Sequence, residues 1–280
     1  MNRSLSLVRV ARRMSPCLCI DILVSRSLGM KTRTGLTILL FLVSATLTKA
    51  AEPKPNTLQA WDNYIGSVNT SVAERNAGRR PFLSVDESSE MLRRVQNGEL
   101  VITKHDPRKV PRGLIHHWIG VMFVPNVSLD QVMQVLNSYD RYSDIYKPLI
   151  RKTSVIEQAG DTVKLNVLAV QKALSVTAAV ETDEEIQIAR PAPNRVSITA
   201  NSVRIQEVAN YGQPSEHAFP EDRTPGYVWC ALIVDRLEQR NGGIRRVGGD
   251  LLESWHTGGG ALADQTADRR SAAKDDDRHA

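Results

Sequence analysis

Residues 113–149 read GLIHHWIGVMFVPNVSLDQVMQVLNSYDRYSDIYKPL. The first part, 113–125, is rich in β-branched and apolar residues and closes on Pro125, which predicts a strand. Ser128 follows as a helix cap, with Gln131 three residues on, a capping-box spacing. Leu129, Val132, Met133, Leu136 and Tyr139 then recur at helical period, and Pro148 stops the second half of the segment. Tyr139, Tyr142 and Tyr146 fall at i, i+3 and i+7, so on a helix they share one face. Half of the chain's 6 tyrosines sit in this short run. Two roles suit them, core packing against a sheet or the wall of a pocket, because the ring packs while the hydroxyl wants a partner.

Downstream the period switches to two. RKTSVIEQ, TVKLNVLAV, ALSVTAAVETDEEIQIA, NRVSITANSVRIQEV and GYVWCALIVDRLEQR all read as strands. In TVKLNVL, Val163, Leu165 and Val167 oppose Lys164 and Asn166. In RVSITA, Val196, Ile198 and Ala200 oppose Ser197 and Thr199. One wet and one buried face per strand predicts an antiparallel sheet with a single covered side. Upstream, LQAWDNYIGSVNTSVAERN reads as an amphipathic helix, and ESSEMLRRVQNGEL as a second helix closed at Asn97-Gly98. These early helices are the large apolar elements available to cover the sheet.

The charge is uneven. Residues 1–50 hold 8 Lys/Arg and one acid, Asp21, leaving 28 bases and 30 acids in the rest of the chain. The body is near neutral, which offers no electrostatic case for nucleic-acid binding. From Met30, a basic start (Lys31, Arg33), a short apolar run (Leu36 to Val43) and small residues at Thr48 and Ala50 have the anatomy of a secretory signal. The apolar run is short for a membrane span. The expected organisation is a spurious upstream extension over 1–29, a signal peptide over 30–50 cleaved near Ala50, and a helical N-terminal extension over 51–112. The main domain is expected over 113–240, and the product is expected to be exported, periplasmic or extracellular. Cys17 and Cys19 leave with the leader, so Cys230 remains alone, without a disulfide framework or a thiolate metal site, as a small buried hydrophobe.

Little in the sequence assembles chemistry. His116 and His117 are neighbours on a strand and point to opposite faces, so they do not chelate one ion together. Asp140 and Asp144 stand among Arg141, Ser143 and Lys147 as a solvated helix face. No G-x-G-x-x-G, G-x-S-x-G or H-E-x-x-H occurs. No nucleophile, base and orienter gather, so the reading is non-catalytic, with no cofactor and no metal.

From Asn241 the periodicity breaks down, and residues 241–280 hold 7 of the 17 glycines. A one-base shift of plausible codons turns SWHT and ALADQTAD into better-patterned sequence. This tail is therefore expected to be frameshifted or disordered.

The body resembles the START-like, polyketide-cyclase/lipid-transfer superfamily with its helix-grip fold. GLIHHWIGVMFVP as first strand, SLDQVMQVLNSYDRYSDIYKPL as two short helices and LIRKTSVIEQAGDTVKLNVL as the next hairpin carry the resemblance. It implies an α+β fold in which a curved antiparallel sheet grips a long C-terminal helix around an apolar tunnel. The final strand and that helix belong past residue 240, so both are expected to be lost to the aberrant tail, leaving an open groove. The resemblance also implies a hydrophobic small molecule or lipid as partner, with transient membrane contact. Trp118, Met122, Tyr139, Tyr142, Tyr146, Leu165, Val167, Ile198 and Trp229 are the expected wall residues. A cyclase or hydrolase of the same superfamily and an envelope protein-interaction module are the alternatives.

Overall fold

A computed structural model describes residues 55–111, 113–173, 176–220, 228–240 and 242–256; of 172–173, 176 and 245–256 it gives the backbone alone. The leader, and the part of the tail past 256, lie outside these residues. Helix α1 spans Pro55–Asn76. A 3-10 turn, Ser84–Glu87, leads to α2, Ser89–Gln96, whose first turn is capped by the Ser88 side chain accepting from the Met91 N–H. The chain then enters β1 (Val101–Lys104), β2 (Arg108–Val110) and β3 (Gly113–Pro125). Helix α3, Leu129–Leu136, has the full Ser128/Gln131 capping box. A 3-10 turn (Tyr139–Arg141) and α4 (Tyr142–Ile145) follow. The remainder is β4 (Ile150–Ala159), β5 (Thr162–Ala173), β6 (Val176–Ala192), β7 (Arg195–Ala209), β8 (His217–Ala218), β9 (Leu232–Arg240) and β10 (Gly243–His256).

All ten strands join one antiparallel sheet ordered β1-β3-β10-β9-β7-β6-β5-β4, with β2 on β3 and β8 on β7. The fold class is therefore α+β, with a strand, two short helices and then a run of antiparallel strands, in the order the resemblance implies. One part differs. The C-terminal strand expected to be lost is present: Gly243–His256 forms β10, inserted between β3 and β9. Arg240 pairs with Gly243 where the two strands meet, and Gly242 between them has φ 85°. The long helix expected beyond it falls outside the described residues.

The two faces of the sheet are covered differently. On the front, α3 seats Leu129, Val132, Met133 and Leu136 on Met122, Val124, Val196, Leu237 and Ile244. On the back, α1 seats Trp61 and Val68 on Ile115, Leu232 and Val234. The 3-10 turn and α2 seat Phe82, Leu83, Val85 and Val95 on Val101 and Val121. A single covered side therefore holds for only part of the sheet. The back is wet over β4–β7, where Lys164 pairs with Glu157 at 3.0 Å and Arg204 with Asp183 at 2.7 Å. Around β3 and β9 both faces are buried, because the N-terminal helices lie opposite α3. Arg240 ties the arrangement down by pairing with Asp86 of the 3-10 turn.

Candidate functional site

The front face takes its shape from how the segment after α3 turns. Asn137 ends α3, and the chain passes through a 3-10 turn into a helix of 4 residues whose N-cap, Arg141, makes no side-chain cap bond. The three tyrosines therefore do not stand on one continuous helix. Tyr139 lies in the 3-10 turn, Tyr142 opens α4, and Tyr146 follows its end. Their spacing still brings them together, since the Tyr146 N–H donates to the Tyr142 carbonyl at 2.9 Å. The rings pack edge to face, 5.5 Å apart for Tyr139–Tyr142 and 4.9 Å for Tyr142–Tyr146.

Tyr139 is buried on Val163, Leu165 and Val167 of β5, Ile186 of β6 and Ala200 of β7, with Tyr142 packed against the same cluster. Tyr146 is buried with Ile145. The hydroxyls turn back on the chain: Tyr142 donates to the Leu136 carbonyl, and Tyr139 lies 3.5 Å from Asn137 Oδ1. Burial, then the neighbouring Tyr146, Tyr139, Asp235 and Glu184, hold the Tyr142 phenol well above its ordinary pKa, so it stays a neutral donor.

The expected wall residues divide into three groups. Tyr139, Tyr142, Leu165, Val167 and Ile198 meet in one cluster, with Tyr146 joined to it through Tyr142. Met122 belongs to the core beneath α3, which shares Ile188 and Ile198 with that cluster. Trp118 points to the front from β3, stacked on His116 at 5.2 Å, while Trp229 lies ahead of β9 in the loop and not on the strand expected there. His117 turns to the back, as strand alternation requires, and its Nδ1 meets Tyr64 Oη at 2.7 Å. Cys230 packs against the α1 cluster, and burial, with Asp62 nearby, pushes its thiol up to about 11, too high for a ready nucleophile.

The front face also carries polar groups that the sequence reading passed over. Glu184 lies across from Leu165 on one side and Ser202 on the other, and Thr182 Oγ1 donates to its Oε1 at 3.1 Å. Burial raises the Glu184 pKa against the opposing pull of that hydrogen bond. Asp235, buried at 8% exposure, lies across from Ile198 on the same face. The signal was Asp235 in step with Ile233 and Leu237, an acid at an apolar position of a period-two run. Between the tyrosine wall and β3, Ile188, Ile198 and Ile233 stay only half-buried.

The front of the sheet, with its two short helices, combines an apolar floor, an aromatic wall and two separate acids, Glu184 and Asp235. Several solved structures are similar to this fold, three of them as follows. Human STARD10 shows 10% identity over 63% of this chain and 70% of its own, with a TM-score of 0.37. A STAR-related lipid transfer protein from Xanthomonas axonopodis shows 10% over 60% and 89%, with a TM-score of 0.36. The human StarD13 lipid transfer and protein localization domain shows 9% over 62% and 84%, with a TM-score of 0.33. So loose an overlap transfers no ligand and no activity. No family profile and no curated protein matches the chain.

Proposed function

We propose that this protein is an exported, non-catalytic binder of a hydrophobic small molecule or lipid, held on the front face of the sheet. The observation that carries the reading is the row of half-buried Ile188, Ile198 and Ile233 between the buried tyrosines and Trp118. Large aliphatic side chains left part-open beside an aromatic wall gain by meeting an apolar guest, at about 25 cal/mol per Å2 covered. Glu184 and Asp235 supply the few polar contacts that would orient its polar end. Native mass spectrometry of the full chain purified from its host tests the reading. A bound lipid-sized mass, lost in Ile198→Asp, is the expected result. Protein that carries no such mass and takes none up from phosphatidylcholine vesicles overturns it. Export predicts a mature N-terminus at Ala51, read by Edman sequencing of protein outside the cytoplasm.

A second reading rests on Glu184. A carboxyl whose pKa burial raises, set near a neutral phenol, is the group a cyclase or hydrolase of this fold would use as general acid. Under it, Glu184→Gln keeps ligand uptake and abolishes turnover; under the binding reading no turnover exists to lose.

A further inference from the structure

Strand β4 ends the sheet, pairing with β5 and, among the described residues, with no other strand. Along it Ile150 and Thr153 are half-buried and the other residues are exposed. Two of these are large and apolar, Val155 at 45% exposure and Ile156 at 56%. Val155 lies across from the buried Leu165, so it carries the apolar row of the front face out to the rim. Ile156 stands in a bulge. The register passes from Val155 opposite Leu165 to Glu157 opposite Lys164, which leaves Ile156 without a residue across from it on β5. A second bulge, between Ile150 and Lys152, does the same for Arg151. Bulges re-aim side chains, and here they present one aliphatic group and one cation at the rim.

The charges at this rim are unbalanced. Glu157 is taken by Lys164 at 3.0 Å, and Asp144 by Lys147 at 2.8 Å. Arg151 and Lys152 are exposed and have no acid partner among the described residues. A strand edge broken by two bulges and guarded by two cations is a poor template for another strand. Exposed aliphatics beside unpaired cations instead match an anionic bilayer, whose phosphates meet the cations while its acyl boundary takes the aliphatics. The spacing fits. Lys152 and Val155 are three residues apart, about 10 Å at ~3.3 Å per residue. The interfacial layer is about 5–8 Å deep on each side of the hydrocarbon, and a tilted strand with a long lysine stem spans it.

We propose that the β4 edge, from Arg151 to Ile156, is a docking surface for an anionic lipid bilayer, with Val155 and Ile156 at the acyl boundary and Arg151 and Lys152 on lipid phosphates. So few groups make a reversible contact and not an anchor. This surface is defined without reference to any guest on the front face and does not rest on the binding reading given above.

Hydrogen exchange of the full chain, followed in residues 150–159 as vesicles are added, tests this. Phosphatidylcholine vesicles containing phosphatidylglycerol are expected to slow exchange there, less so as salt rises, and pure phosphatidylcholine vesicles to do so far less. The lipid concentration giving half protection is expected to rise about twentyfold when Arg151→Gln and Lys152→Gln are combined, roughly fivefold for each cation. Ile156→Ser is expected to raise it about tenfold. All three side chains are exposed, so these changes spare the fold. Leu58→Ser, at an aliphatic residue 40% exposed on α1, is the control and is expected to change nothing. Ile198→Asp removes the guest site and is expected to leave docking intact, which separates the two readings. Binding through another part of the chain leaves 150–159 exchanging freely and overturns the proposal. So do variants protected as well as their parent, or a doubled mass in lipid-free buffer that Ile156→Ser halves.

Discussion

Replacing Leu165 by alanine probes whether the tyrosine wall seals the front of the sheet. Leu165 is 0% exposed and lies beneath Tyr139, between Val163 and Val167. The change removes three carbons, worth about 2.4 kcal/mol at ~0.8 kcal/mol per buried CH2. A residual cavity adds to this, since strand neighbours held by ladder bonds on both sides collapse little, so the expected loss is about 3–4 kcal/mol. For a domain of this size that lowers Tm by about 6–16 °C. Urea unfolding followed by tyrosine and tryptophan fluorescence measures it, with an unchanged m-value showing that the loss is one of native stability. Val203→Ala, at a side chain 59% exposed on the same sheet, is the control and is expected to stay within about 0.5 kcal/mol. A Leu165→Ala loss below about 1 kcal/mol would refute the reasoning, because a leucine already facing open space has little burial to lose.

Three further outcomes are expected. Glu184 has a raised pKa in the folded chain, so between the ordinary carboxylate range and that raised value the native state keeps a proton the unfolded state has released. Stability therefore falls as pH rises through this window; Glu184→Gln removes the fall, so its advantage in urea midpoint is larger at about pH 8 than at about pH 4, and an equal gap at both would show that the group does not titrate this way. A Cβ on Gly243 would lie 2.2 Å from the Val124 carbonyl oxygen, and the residue has φ 156°, so Gly243→Ala is expected to cost about 1–3 kcal/mol by thermal melt. Ser128→Ala breaks the capping box of α3 and is expected to cost about 1 kcal/mol, with Ser128→Asp largely restoring it.

Much of this architecture is legible where one local rule decides the outcome. Ser128 and Gln131 announce a helix start that the structure completes bond for bond. Val163, Leu165 and Val167 announce a buried strand face by alternation alone. β10 is hidden for two reasons. The register shifts between Gly248 and Leu251, which breaks the period of two, and the strand lies next to β3, where both faces are covered. Asn241-Gly242 carries the hairpin signal, but next to a second glycine, Gly243, it reads as the end of pattern. The two front-face acids are visible only as Asp235 and Glu184 in step with apolar neighbours, since it takes two strands to bring them both near Tyr142.

The place of β10 also bears on how the chain is made. Its partners on β3 run from Pro125 back to Gly113, and they are synthesised long before Gly243–His256. At ~5–20 residues per second, the ribosome leaves that flank of β3 without its mate for on the order of ten seconds. During that interval the nascent polypeptide displays a bare row of amides and carbonyls beside Trp118, Met122 and Val124, the kind of edge that recruits a stray strand from a neighbour. Such a chain is a natural client for a holdase, and its yield in a cell will follow the supply of that helper more closely than the stability of the finished sheet.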